Sequence, residues 1–298
     1  MDPAVEPFAL SAYWDARGAR IQAALEELVA PRVPASFWEA MAYSVLAGGK
    51  RLRPILTIAS CEAAGGKPEA ALAAACALEL IHTQSLIHDD LPCMDNDTLR
   101  RGRPTNHVVY GEALALLAGD GLLAYAFQVI AEGMAPHVAA PRVVQAVAEL
   151  ASATLGMVAG QVVDIQSEGK PIEPSTLEFI HRHKTGELLR VAARLGAHAA
   201  EADAATMDAL TRFAEALGLA FQIVDDLLDL TGTAEDLGKH PGKDVAVAKA
   251  TYPALYGMAA ARAEADRQVA IAMQALEPLG AAAEPLRAIA RFVTERTH

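Results

Sequence analysis

The chain has 298 residues, 53% of them hydrophobic and 21% charged, with a formal net charge of −12. This composition fills a globular core and excludes disordered and fibrous classes, while the acidic balance argues against a nucleic-acid partner, whose polyphosphate needs surplus Lys and Arg. Cys61, Cys76 and Cys93 are scattered and form no CxxC pair, so neither a disulfide framework nor a thiolate zinc site is expected, and a reducing, cytoplasmic setting fits.

The opening residues MDPAVEPFAL hold no basic or apolar leader segment, so no signal peptide is expected. Apolar residues recur at helical spacing, Ala and Leu dominate, and strict alternation is absent, which predicts an all-α fold. Gly and Pro place helix breaks at 31–34, 65–68, Pro92, 102–104, 136–141, 169–174 and 232–242. The result is a single domain over 1–298 with about ten helices or more and no internal repeat. The most apolar stretch, 113–131, is interrupted by Asp120 and two glycines. It falls short of a membrane span, which needs roughly 20 apolar residues. Ser175 and Glu178 form a capping-box pattern, predicting a helix start after Pro174 that leaves Lys184 well inside the helix. A polar segment, 231–244, is long enough to act as a lid.

Two acidic clusters interrupt this apolar pattern. DDLPCMD brings Asp89, Asp90 and Asp95 together at the end of an apolar helix that Pro92 stops. Helix dipoles are negative at that end, so carboxylates gathered there call for a cation, and their hard oxygens suit magnesium shared with substrate phosphates. DDLLD supplies Asp225, Asp226 and Asp229; Asp225 and Asp229 share a helix face with Gln222. Neighbouring Val224, Leu227 and Leu228 mark this helix as otherwise buried.

Basic residues are sorted into short motifs: Lys50, Arg51 and Arg53 in GGKRLRP, Arg100, Arg101 and Arg103 in LRRGRPT, and Lys239, Lys243 and Lys249 in and after the lid. Arginine's fork suits bidentate phosphate contact and lysine acts as a mobile point charge. Acids and bases together describe a diphosphate site with bound cations. His82, Ser85 and Asp89 follow at helical spacing, with the histidine on the side leading to the first acidic cluster.

These motifs, together with IHTQSLIHDD, GQVVDIQSEG, HKTGELL and FQIVDDLLDLTGTAEDLGKHPGKD, resemble those of the trans-isoprenyl diphosphate synthases, in that family's order along most of the chain. The resemblance implies a helical bundle around a central apolar cavity, the isoprenoid synthase fold, acting as a homodimer. It implies magnesium at Asp89 and Asp95, with Asp90 in support, and at Asp225 with Asp226 and Asp229. Isopentenyl diphosphate would meet Lys50, Arg53, His82 and Arg101. The allylic diphosphate would meet Arg100, Lys184, Lys239 and Lys249, and Lys184, Thr185 and Gln222 would line the region where the carbocation forms. No nucleophile is required: the allylic diphosphate leaves, the isopentenyl double bond attacks the cation, and a proton is lost.

Product length in this family depends on residues just upstream of the first acidic motif, here Gln84 and Ser85. Gln84 stands where a bacterial farnesyl synthase would carry an aromatic residue, which favours geranylgeranyl over farnesyl diphosphate, with Tyr125, Phe127 or a partner helix as other candidates for the floor. The rival readings are a class I terpene cyclase, whose second motif would mix in Ser or Thr and Glu, and a noncatalytic partner subunit, which would lose acidic motifs.

Overall fold

The computed structural model describes residues 8–231 and 251–295. Lys239, Lys243, Lys249 and the predicted lid beyond Thr231 lie outside the described residues. The described chain is all-α apart from one short ribbon. Helices α1 (Leu10–Leu28), α2 (Ala35–Val45), α3 (Leu52–Ala63) and α4 (Pro68–Asp89) lead to strands β1 (Leu99–Arg100) and β2 (Arg103–Pro104), which pair antiparallel with Arg100 opposite Arg103. Helices α5 (Asn106–Tyr110), α6 (Glu112–Met134), α7 (Ala140–Ser167) and α8 (Pro174–Ile180) follow. After a π-helical turn, His181–Gly186, come α9 (Glu187–Ala199) and α10 (Ala204–Thr231). The C-terminal part holds α11 (Tyr252–Tyr256), α12 (Met258–Ala275), a 3₁₀ segment Glu277–Ala283 and α13 (Glu284–Glu295).

Helix α4 is the axis of the bundle. Its buried residues include the unbroken run from Ala74 to Ile81, so burial surrounds it instead of following one stripe, the pattern of a helix enclosed on all sides. It packs against α3, α6 and α9, and its alanines keep those neighbours close. One hydrophobic cluster unites these helices with α1, α2, α7, α10, α12 and α13. A second cluster, Leu219, Ile223, Val224, Leu227 and Leu228 against Ala261 and Ala265, holds the end of α10 on α12. Each such leucine or isoleucine contributes about 1.5–3 kcal/mol by leaving water.

Two local expectations are corrected. Helix α8 starts at Pro174, with Glu173 at the N-cap and no side-chain cap bond. Proline suits the first helical position because it lacks an N–H that would need a partner there, so Ser175 already lies inside the helix. Lys184 occupies the π-helical turn and not a regular α-helix. A third correction concerns the stretch at 113–131: α6 is 23 residues long and, like α4 and α7, long and apolar enough to cross a membrane by length and composition. In the fold, 72% of the most apolar window of α4 is buried within the protein, against 39% for α6 and for α7.

Candidate active site

The first acidic cluster forms where α4 ends. Asp89 is the last helical residue and Asp90 the C-cap. The chain then curls back, with Met94 N–H donating to Leu91 O (2.9 Å) and Asp95 N–H to Asp89 O (2.8 Å), which returns Asp95 to the side of Asp89 despite the proline. Burial raises the Asp89 carboxyl from the ordinary 3.8 to about 6; nearby Lys184 opposes the rise and Asp95 adds to it. Asp90, expected from the resemblance to support Asp89 and Asp95, has a different environment. It is 3% exposed, and the Arg100 guanidinium closes on both its oxygens, Nε at 2.8 Å from Oδ1 and 2.9 Å from Oδ2, with Nη2 at 2.6 Å from Oδ1. Successive residues on a helix point about 100° apart, so Asp90 faces the ribbon while Asp89 faces the bundle's cavity. Arg100, assigned from the resemblance to the allylic diphosphate, spends its fork on Asp90.

The second cluster repeats this division of labour. Asp225 and Asp229 are half-buried on one face of α10, and Asp225 acts electrostatically on Arg53 of α3, so this wall looks across at the base of the first. Asp226 is buried and turned away: its oxygens accept from Gln222 Nε2 (3.0 Å) and from the Tyr252 N–H (2.8 Å), with His181 Nε2 at 3.3 Å. Like Asp90, it is tied into the surrounding protein and turned away from the face that Asp225 and Asp229 share.

The basic residues divide in the same way. Arg53 Nη1 lies 3.5 Å from His82 Nε2. Burial, then the charges of Arg53 and Arg101, hold the His82 pKa well below the usual range, so the ring is neutral and able to accept or donate a hydrogen bond. Arg101 hydrogen-bonds the Gly48 carbonyl and lays its guanidinium against Gly49, which locks the ribbon onto the glycine loop. The Lys50 carbonyl is held by Trp14 Nε1 at 2.9 Å. Lys50, Arg53, His82 and Arg101 line a cavity of about 330 Å³, walled on its other side by Trp14, Phe221 and Phe292. Arg51, their sequence neighbour, turns inward to Glu79 Oε1 (2.5 Å), Gln22 Oε1 (3.1 Å) and Val45 O (2.7 Å). It is structural.

The π-helical turn presents Lys184 and Thr185. It packs closely on α7 at Gly160: a β-carbon there would lie 2.3 Å from the Lys184 backbone nitrogen, so only glycine permits the approach. Lys184 Nζ donates to Asp164 Oδ2 at 2.6 Å. Thr185 Oγ1 donates to Gln222 Oε1 at 2.7 Å, and Gln222 in turn donates to Asp226. This chain fixes the direction of the Thr185 hydroxyl and leaves its oxygen lone pairs for the cavity. Sequence reasoning passes over Asp164, Gln161, His181 and Glu79 as site residues. The signal for Asp164 is present, since a lone acid between Val163 and Ile165 on an apolar helix requires a partner.

These elements enclose a cavity of about 480 Å³. Asp89, Arg53, His82, Lys184 and Thr185 line it together with Gln84 and Ser85, and Met157, Val158, Val162 and Leu188 form its apolar wall. Gln222 is absent from that lining and acts through Thr185. Among the described residues no three acidic, histidine or cysteine side chains converge as a closed metal cage. The open carboxylate faces instead fit magnesium, which keeps water and substrate phosphate oxygens in its shell. The raised Asp89 pKa fits as well, since a nearby divalent cation offsets the loss of solvation on burial and the smaller repulsion from Asp95.

Comparison with known proteins agrees with this geometry. A family model described as polyprenyl synthetase matches residues 34–283. A chloroplastic geranylgeranyl pyrophosphate synthase of Capsicum annuum is 49% identical over 297 residues, covering 98% of this chain and 80% of that protein. A geranylgeranyl diphosphate synthase of Cyanophora paradoxa is 47% identical over 301 residues and the match covers 100% of both. The crystal structure of an FPP/GFPP synthase from Zymomonas mobilis superimposes with a TM-score of 0.85 at 35% identity, over 96% of this chain and 98% of that one. On sequence and on fold, this chain belongs to the polyprenyl synthetase family.

Proposed function

We propose that this protein is a prenyltransferase that condenses isopentenyl diphosphate head-to-tail with dimethylallyl, geranyl and farnesyl diphosphates, releasing geranylgeranyl diphosphate in preference to farnesyl diphosphate. The observation that carries this is the composition of the 480 Å³ cavity: charged at the Asp89, Arg53 and Lys184 end, and apolar along Met157, Val158 and Val162. A diphosphate belongs at the first end and an isoprenoid tail along the second. The synthases of Capsicum and Cyanophora named above support the twenty-carbon product.

Asp89 and Asp95 on one wall, with Asp225 and Asp229 on the other, would hold magnesium, which supplies positive charge to the departing diphosphate. Lys184, held by Asp164, adds a fixed cation on the same side. Thr185 turns its oxygen toward the developing carbocation, an oriented dipole that stabilises charge without forming a bond. Leu188 and Met157, both buried, exclude the water that would quench it. The neutral His82 ring and Arg53 bind the second diphosphate in the adjoining cavity.

We also read the whole chain as one domain acting as a homodimer in the cytoplasm. Leu155, Val158, Val162 and Ile165 make an exposed apolar stripe on α7, continued by Leu116 and Leu117 on α6, and such stripes mark subunit contacts. The free cysteines, two of them buried, suit a reducing compartment. Leu155→Glu is expected to shift the mass measured by light scattering from dimer to monomer.

The direct test supplies magnesium, isopentenyl diphosphate and each allylic diphosphate in turn, then sizes the dephosphorylated products. Geranylgeraniol as the main alcohol is expected. Farnesol alone would overturn the product assignment, and a cyclic hydrocarbon formed without isopentenyl diphosphate would overturn the reaction.

A further inference from the structure

We propose that His88 is a positioning residue for product length: it pins the Gln84 amide in the wall of the tail cavity, and the pinned amide sets where the growing chain stops. The inference rests on the reading of the cavity as an isoprenoid tail site. Gln84 and His88 lie one turn apart on α4, and both line that cavity along with Leu116 of α6. Gln84 Nε2 and His88 Nδ1 are 3.0 Å apart, and His88 Nε2 is 3.1 Å from the Leu116 carbonyl oxygen.

The neutral ring satisfies both contacts in one orientation, with the Asp120 carboxylate 4.0 Å from Nε2 on the same side. A carbonyl oxygen only accepts, so the ring carries its proton on Nε2. Nδ1 is then an acceptor and takes a hydrogen from the Gln84 amide nitrogen. This orientation leaves Gln84 Oε1 buried with no hydrogen-bond partner, an unfavourable state for a buried acceptor. An unrestrained glutamine would rotate to relieve that cost. His88 prevents the rotation, and α6 prevents His88 from moving: a β-carbon on Gly119 would lie 2.0 Å from the ring Nε2. The stop in the tail cavity is thus a relay from the α6 backbone through His88 to Gln84, and Gln84 is not the whole of it.

Four single variants and one double variant test the relay by product length; because His88 also lines the cavity, dependence of its effect on Gln84 is the readout that separates a relay from simple enlargement. His88→Ala removes the acceptor and opens space beside Gly119 for the amide to enter, so the main product is expected to lengthen by one isoprene unit. Gly119→Ala drives the ring toward Gln84 and is expected to shorten it by one. His88→Asn keeps an acceptor near the Nδ1 position and should retain the wild-type product. In the Gln84→Ala background, adding His88→Ala should change nothing further. An unchanged product spectrum for His88→Ala, or an equal shift with and without Gln84, overturns the proposal. A wild-type protein that elongates no allylic diphosphate overturns the underlying reading and this one with it.

Discussion

The two acidic walls share a design and differ in how it is held. In each, the first aspartate faces the shared space and the second is turned into the protein as a brace. On the first wall the brace is ionic: Asp90 receives the Arg100 fork from the ribbon, whose side chain remains 31% exposed. On the second it is a buried network in which Asp226 collects an amide, a backbone N–H and a histidine, with Tyr252 and Gln222 as donors. The first arrangement tolerates solvent and ties a loop; the second joins α10, α11 and the π-helical turn, and reaches Thr185 through Gln222. Paired aspartates in sequence are therefore not interchangeable: one position faces the open space and its neighbour holds the wall.

The largest expected effect breaks the ligand-facing position. Asp89→Ala should lower turnover by at least about 10³-fold, which is about 4 kcal/mol of lost transition-state stabilisation, with little loss of melting temperature. Asp226→Ala should act mainly on stability, with a turnover loss no larger than that of Thr185→Val, the residue it reaches through Gln222. It strands the Tyr252 N–H, His181 and the Gln222 amide in a buried site, and thermal or urea unfolding should report a loss of about 3–5 kcal/mol. Asp90→Ala should cost less, about 1–3 kcal/mol, because Arg100 can turn to solvent.

A pH titration sharpens the same contrast. The folded Asp89 pKa of about 6 lies above its ordinary 3.8, so in metal-free protein this group adds stability as pH falls from about 6 toward 3.8. Magnesium held at Asp89, as proposed, would have to displace that proton, so the magnesium concentration needed for half-maximal rate should rise about tenfold per pH unit below 6. A requirement flat down to pH 5 would remove Asp89 from the metal site. The smallest effect is expected at Thr185→Val, about tenfold in kcat, the worth of one oriented neutral dipole.

Much of this molecule is legible in its amino-acid sequence. Pro31, Pro34, Pro68 and Pro174 stand where helices begin or end, because a ring that fixes φ and removes a donor acts locally. The gathering of Asp89, Lys184, Arg53 and His82 follows from motif order. What stays hidden depends on direction and on distant partners. Nothing in DD states which carboxylate turns to Arg100, and nothing in HKTGEL announces a π-helical turn that packs on Gly160 of another helix. Arg51 looks equivalent to Lys50 and Arg53 in GGKRLRP, yet its buried pairing with Glu79 is a tertiary fact. The ribbon of β1 and β2 is too short to leave a periodic trace.

The central claim is that Asp89 and its opposite wall bind a diphosphate through shared divalent cations. The most direct measurement is calorimetric titration of an unreactive thio-analogue of farnesyl diphosphate into wild-type protein and into Asp89→Ala, each with and without magnesium. Tightening by at least about 10²-fold with magnesium in the wild type, several kcal/mol of charge stabilisation, and its loss in Asp89→Ala, is the predicted result. Equal magnesium-independent affinity in both proteins would contradict the account.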